Sequence, residues 1–119
     1  MLFRSLIADL ESRGLLNSTL VVVMGEMGRA PKVNAKAGRD HWPQCGFSLL
    51  TGGGTKPGCV FGETDKQAAY PISDPISVAD LLRTIHTLLG IDADKEYPDP
   101  LGRPVPLVNG GRVIPDLLA

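Results

Sequence analysis

Residues 19–24, "TLVVVM", decide how this chain is read. The run is apolar throughout, rich in β-branched residues, and lacks the polar alternation of a half-buried strand. A strand apolar on both sides is expected to be covered on both sides, as in a parallel sheet. Upstream, residues 2–13 set Leu2, Phe3, Leu6, Ile7 and Leu10 at three- and four-residue spacing, with Arg4, Ser5, Asp9 and Glu11 between them. That is the period of an amphipathic helix, and Gly14 supplies its stop. Helix, short turn and buried strand make half of an α/β crossover unit.

Downstream, Cys45-Gly46-Phe47-Ser48-Leu49-Leu50 reads as a second short strand running into Thr51-Gly52-Gly53-Gly54. Residues 55–76 hold Pro57, Pro71 and Pro75 with Gly58 and Gly62, the mark of a loop with little regular structure. Residues 77–89 are the clearest helix. Val78, Leu81, Leu82, Ile85, Leu88 and Leu89 form its stripe, and Gly90 closes it. Ser77 is the expected N-cap, with Asp80 in the capping-box position as a weaker partner than Glu or Gln. Past it, Val105–Val108 and Arg112–Ile114 suggest a hairpin turning at Asn109-Gly110, with a tail after it. The expected fold class is therefore α/β: a small, mainly parallel sheet flanked by helices, ending in a C-terminal hairpin or extended tail.

A chain of 119 residues fits one domain and can bury a core. Hydrophobic residues at 43% and charged residues at 21% are ordinary for a globular protein, and a formal charge of −1 gives no global field for nucleic acid. No apolar stretch approaches the ~18 to 20 residues of a membrane span. Arg4, Asp9 and Glu11 keep the first segment from reading as a signal peptide. Cys45 and Cys59 could pair across the loop between them, but two free thiols suit the sequence at least as well.

The chemistry is concentrated in residues 25–43, "GEMGRAPKVNAKAGRDHWP", directly after the aliphatic run. In open α/β sheets ligands bind beyond the carboxyl ends of strands, and Glu26 would stand at such an end. Gly25 and Gly28 would let the backbone turn there. Arg29 and Lys32 could hold an anionic oxygen, Arg by a planar fork and Lys as a point charge. Asp40 and His41 supply the oxygen and nitrogen donors that bind zinc, manganese or similar divalent ions. With Glu26 fourteen residues before Asp40, the loop could present three ligands to one ion. Taken singly, each residue has a plainer reading: a surface hydrogen-bond pair, a solvated strand-end carboxylate, surface charges, and Trp42 as packing. Their co-occurrence makes the case.

Other motifs are weaker. His86 has no acidic partner at four-residue spacing and reads as structural or exposed. "TGGGTKPG" lacks the order of a phosphate loop because Pro57 follows Lys56, so close backbone packing or loop mobility explains its glycines better. Ser48, Thr51, Thr55 and Ser73 sit in no nucleophile elbow and beside no identifiable base.

These segments resemble a known group. "LIADLESRGLLNSTLVVVMGEMG" looks like the helix and buried strand of sulfatases and other alkaline-phosphatase-superfamily enzymes, and "SVADLLRTIHTLLGID" like their late helix. "GEMGRAPKVN", "GRDHWPQCGFSLLTGGGTKPG" and "VFGETD" resemble the C-terminal part of an uncharacterised sulfatase-like family, a domain of unknown function. The resemblance implies a partial sulfatase-like layered fold without the N-terminal, nucleophile-bearing part. It implies Glu26, Asp40 and His41 as metal ligands (zinc, manganese or calcium) and Arg29 as a substrate contact. A typical Asp-His pair is replaced here by Gly25-Glu26, which alters the ligand count. The expectation is then a metal-site lobe of a sulfate- or phosphate-ester hydrolase, inactive alone and exported if part of a longer chain. Its small-molecule ester would bind in the intact enzyme, and a second copy could cover the truncated face. The alternative is a non-catalytic binding or assembly module with a structural ion or none.

Overall fold

Both helices form where the spacing places them. In a computed structural model that describes residues 2–119, α1 spans Leu2–Ser12 and α2 spans Val78–Leu88. Each ends in the same motif. Leu15 N–H reaches Leu10 O at 2.9 Å and Gly14 N–H reaches Glu11 O at 2.9 Å, while Ile91 N–H reaches His86 O at 2.8 Å and Gly90 N–H reaches Thr87 O at 3.0 Å. Gly14 and Gly90 hold the left-handed φ values, 68° and 70°, that this stop requires.

The strands correct the expected fold class. The described residues form eight short strands, β1 (Val21–Met24), β2 (Gly28–Arg29), β3 (His41–Trp42), β4 (Ser48–Thr51), β5 (Glu63–Thr64), β6 (Pro71–Ser73), β7 (Glu96–Pro98) and β8 (Pro104–Pro106). They form four separate two-stranded sheets, β1 with β4, β2 with β3, β5 with β6 and β7 with β8. The β2–β3, β5–β6 and β7–β8 pairs are antiparallel. The mainly parallel sheet flanked by helices is not there. A parallel crossover usually runs through a helix, and the segment after β1 instead folds back as the β2–β3 ribbon. Apolar content alone misled the reading of β1: Val21 and Val22 are half-buried, but Val23 and Met24 are 37% and 51% exposed.

The hairpins also fall elsewhere. The C-terminal one is β7–β8, with Tyr97 opposite Val105, and residues 112–114 are not a strand. Residues 55–76, expected to be irregular, contain the β5–β6 pair.

The chain divides into two compact units. One comprises the residues up to Leu20, Thr51–Cys59 and Ile76–Ala119; the other comprises Val21–Leu50 and Val60–Pro75. The first holds the core, made of Leu81, Ala93, Val108 and Ile114 around two buried polar residues, Asp80 and Thr84. Its centre is a polar knot on α2. Ser77 N–H and Oγ–H both donate to Asp80 Oδ2, at 2.8 and 2.7 Å, and Asp80 N–H donates to Ser77 Oγ at 3.1 Å, a complete capping box. Asp80 is therefore a stronger partner than its residue type suggests. Its Oδ1 also accepts from Arg112 N–H at 2.6 Å, and these hydrogen bonds, those from Ser77 foremost, hold its carboxyl below the usual aspartate range.

One turn further, Thr84 Oγ1 donates to Asp80 O at 2.8 Å and accepts from Ile114 N–H at 3.1 Å. Gly111 makes this docking possible. A Cβ there would lie 2.5–2.8 Å from the backbone of Ala79 and Asp80, so the "NGG" glycines serve a close approach to α2 and not a hairpin turn. The glycines of "TGGGTKPG" likewise serve packing: a Cβ on Gly52 would overlap Thr19 O, and one on Gly53 would sit 2.9 Å from Leu20. Gly53 N–H is already used by Leu16 O at 3.0 Å.

The second unit has no fully buried residue among those described. Trp42 is its anchor. The indole Nε1–H donates to Ala69 O at 2.6 Å, and the ring meets Tyr70 edge-on with centroids 5.7 Å apart.

Candidate functional site

The charged segment after β1 is a ribbon with an ordered tip. Gly28 pairs with Trp42 and Arg29 with His41, and the ladder continues as Ala30 N–H donates to Asp40 O at 2.9 Å. Gly28 is required by contact, since a Cβ there would overlap the carbonyl of Cys45. Side chains alternate between the faces of a strand. Trp42 occupies one face of β3, so His41 and its cross-strand partner Arg29 project from the other. Both are exposed.

The tip is organised by Asn34. Its Oδ1 accepts from Lys36 N–H and Gly38 N–H, both at 3.0 Å, and its Nδ2 donates to Asp40 Oδ1 at 2.9 Å. The main chain closes the same turn, with Asn34 N–H to Gly38 O at 2.8 Å and Ala37 N–H to Asn34 O at 3.0 Å. Ala37 takes a left-handed φ of 57°. Arg39 Nη1 donates to Ala30 O at 3.3 Å, bracing the ribbon's neck. Asn34 was not among the residues expected to matter. Its signal in the sequence is an Asx residue in a loop with glycine four positions on.

The expected site residues are thus placed as follows. Arg29 and His41 are brought together across one rung. Asp40 is engaged through one carboxylate oxygen with Asn34. Glu26 lies in the bend between β1 and β2 and is exposed. Among the described residues no group of three or more His, Cys, Asp or Glu side chains is arranged to hold a metal ion. Glu26, Asp40 and His41 therefore do not make a complete ligand set by themselves. Cys45 and Cys59 are free thiols, and Cys59 Sγ lies 3.4 Å from Asp116 O. His86 Nδ1 is 2.7 Å from Leu82 O on its own helix, in keeping with a structural role.

A hollow over β7–β8 is lined by Tyr97, Pro98, Val105 and Leu107. Its carboxylate, Asp99, is committed to Arg103, which donates from its backbone N–H at 2.9 Å and its side chain at 2.7 Å. Those bonds keep Asp99 charged to lower pH than usual.

Sequence comparison now adds the family. Residues 3–118 match the model of a family described as a protein of unknown function, DUF1501. The chain belongs to the DUF1501 family. The matched span takes in α2 and the whole β2–β3 ribbon of this DUF1501 protein. No curated protein and no solved structure matches it.

Proposed function

We propose that this DUF1501 chain is the anion-facing lobe of a sulfuric or phosphoric ester hydrolase related to the sulfatases and other alkaline-phosphatase-superfamily enzymes. One observation carries the reading: Arg29 and His41 stand opposite each other on the exposed face of a ribbon whose other face is anchored by Trp42. A guanidinium fork and an imidazole side by side suit the non-bridging oxygens of a tetrahedral ester. In the reaction Arg29 would hold those oxygens and offset the charge that grows on them, with His41 beside it as a hydrogen-bonding or ligating group. A divalent ion (zinc, manganese or calcium) would supply Lewis acidity at such a centre. This chain offers His41, Glu26 and Asp40 as donors, and further donors and the attacking group would come from outside these residues. The lobe alone has no turnover on this reading.

The test is a titration of the 119-residue protein with inorganic sulfate and phosphate, followed by amide chemical shifts. Perturbations should centre on Arg29 and His41 and vanish in Arg29→Ala. Shifts that persist in that variant would remove the proposal. A parallel assay with aryl sulfates and aryl phosphates should show no hydrolysis, and robust turnover would refute the need for an outside nucleophile. A protein that binds neither anion at the ribbon is the non-catalytic assembly module instead.

A further inference from the structure

The chain has three asparagines, and the fold restrains two of them. The Asn34 amide is held from both ends, its Oδ1 by Lys36 and Gly38 N–H and its Nδ2 by Asp40. Asn17 lies in the single turn Leu16–Ser18, where the next N–H along, that of Ser18, donates to Leu15 O at 3.1 Å. Asn109 has neither restraint. It is exposed, and among the described residues its side chain makes no hydrogen bond and Gly110 N–H has no acceptor. Gly110 is exposed too, and a Cβ on it would meet nothing within 4 Å. Asparagine is thermolabile because the next residue's nitrogen can attack its side-chain amide, and glycine hinders that attack least.

The chain on either side of this pair is pinned. Buried Val108 donates its N–H to Ala93 O at 3.1 Å, and Arg83 donates to Val108 O at 3.3 Å and to Gly110 O at 3.1 Å. Gly111 then lies against the backbone of Ala79 and Asp80, and Arg112 and Ile114 N–H donate to Asp80 and Thr84. A main chain held at Val108 and again at Gly111 has no slack for an added atom.

We infer that Asn109 is a site of spontaneous deamidation, and that its isoaspartyl product frees residues 109–114 from α2. Gly110 nitrogen gives its proton to solvent base and bonds to Asn109 Cγ. The Cγ–Nδ2 bond breaks, and the nitrogen takes up a proton from water and leaves as ammonia. Water then opens the five-membered imide. Addition at Cγ gives aspartate on an unchanged chain; addition at the main-chain carbonyl gives isoaspartate, whose chain runs through Cβ and Cγ and is one carbon longer. Neither step involves the β2–β3 ribbon, so the inference stands apart from the hydrolase reading.

The full chain, aged at mildly alkaline pH and physiological temperature and mapped by mass spectrometry, tests the first part. The gain of about one mass unit should come first at Asn109, about tenfold or more ahead of Asn17 and Asn34. Isoaspartate should accompany aspartate there, which direct amide hydrolysis would not produce. Asn109 should react within about threefold of its rate in the same chain unfolded in urea, while folding should slow Asn34 about tenfold. A product without isoaspartate, or protection of Asn109 by folding as strong as that of Asn34, overturns the site.

Hydrogen exchange tests the second part. In the isoaspartyl form, separated by ion exchange, the Arg112 and Ile114 amides should exchange about tenfold faster or more, as loss of one backbone hydrogen bond at each implies. Asn109→Asp has the new charge on a chain of the old length and should exchange within about twofold of the parent. Unchanged exchange in the isoaspartyl form overturns the release, and an equal rise in Asn109→Asp overturns the role of the added carbon. Asn109→Gln, aged alongside, should keep the parent's initial exchange; if it loosens as the aged parent does, deamidation at Asn109 is not the cause.

Discussion

The two helices of the first unit have equal length and the same glycine-led stop, yet they bear very different loads. In α1 no residue is buried, and Leu2 and Leu6 are 93% and 47% exposed. In α2 Asp80, Leu81 and Thr84 are buried, and a complete capping box closes its start. Amphipathic spacing is the same kind of signal in both. What separates them is a partner: the 108–114 segment lies against α2 and donates backbone N–H groups to Asp80 and Thr84. Arg83 adds to this from the same helix, donating to Gly110 O at 3.1 Å, Val108 O at 3.3 Å and Asp94 Oδ1 at 2.8 Å. Periodicity tells where a helix can form, and polar satisfaction tells which helix the unit is built on.

Substitutions that break this contrast should rank in a definite order in thermal or urea unfolding. Gly111→Ala drives a methyl into the first turn of α2 at a left-handed φ of 77° and should cost about 2–4 kcal/mol. Thr84→Val keeps the volume but strands the buried Ile114 N–H, for about 1–3 kcal/mol. Gly90→Ala strains the α2 stop alone and should cost about 1 kcal/mol. Leu2→Ser, on the exposed face of α1, should stay within about 0.5 kcal/mol. A Leu2→Ser loss as large as that of Thr84→Val would end the contrast between the helices.

Acid should sharpen the same contrast. Hydrogen bonds from Ser77 and Arg112 lower the folded carboxyl of Asp80, and bonding to Arg83 and Arg103 lowers Asp94 and Asp99. In the ordinary aspartate range the unfolded chain then binds more protons than the folded one, so stability rises with pH through that range. It is fully present above it and is lost as pH falls through the lowered folded values. Asp80→Asn should flatten part of that acid limb in unfolding curves taken at stepped pH, and an unchanged limb would show that Asp80 contributes nothing to it.

Helix stops and caps were legible because they are local: Gly14, Gly90 and the Ser77–Asp80 pair act within four residues. Strand pairing was not, because it depends on what lies beside the strand. "TLVVVM" has the composition of a doubly covered strand, but β1 has a single partner strand and two exposed residues. The Asn109-Gly110-Gly111 signal was legible as glycine-dependent geometry and misleading as to cause, since a close approach and a tight turn call for the same residue. At the candidate site, charge density in residues 25–43 was plain in the sequence. That Arg29 faces His41, and that Asp40 is tied to Asn34, follows from a register that only the fold sets.

The register also divides the ribbon into parts that tolerate change differently. Sliding β3 by one position would swing the indole of Trp42 out into water and turn His41 toward Ala69 and Tyr70, reversing front and back in a single step. The tip from Pro31 to Gly38 is set by Asn34 and not by that register, since the Asn34 side chain bonds Lys36, Gly38 and Asp40. A change of side-chain charge in the tip therefore leaves the aim of the pair below it in place.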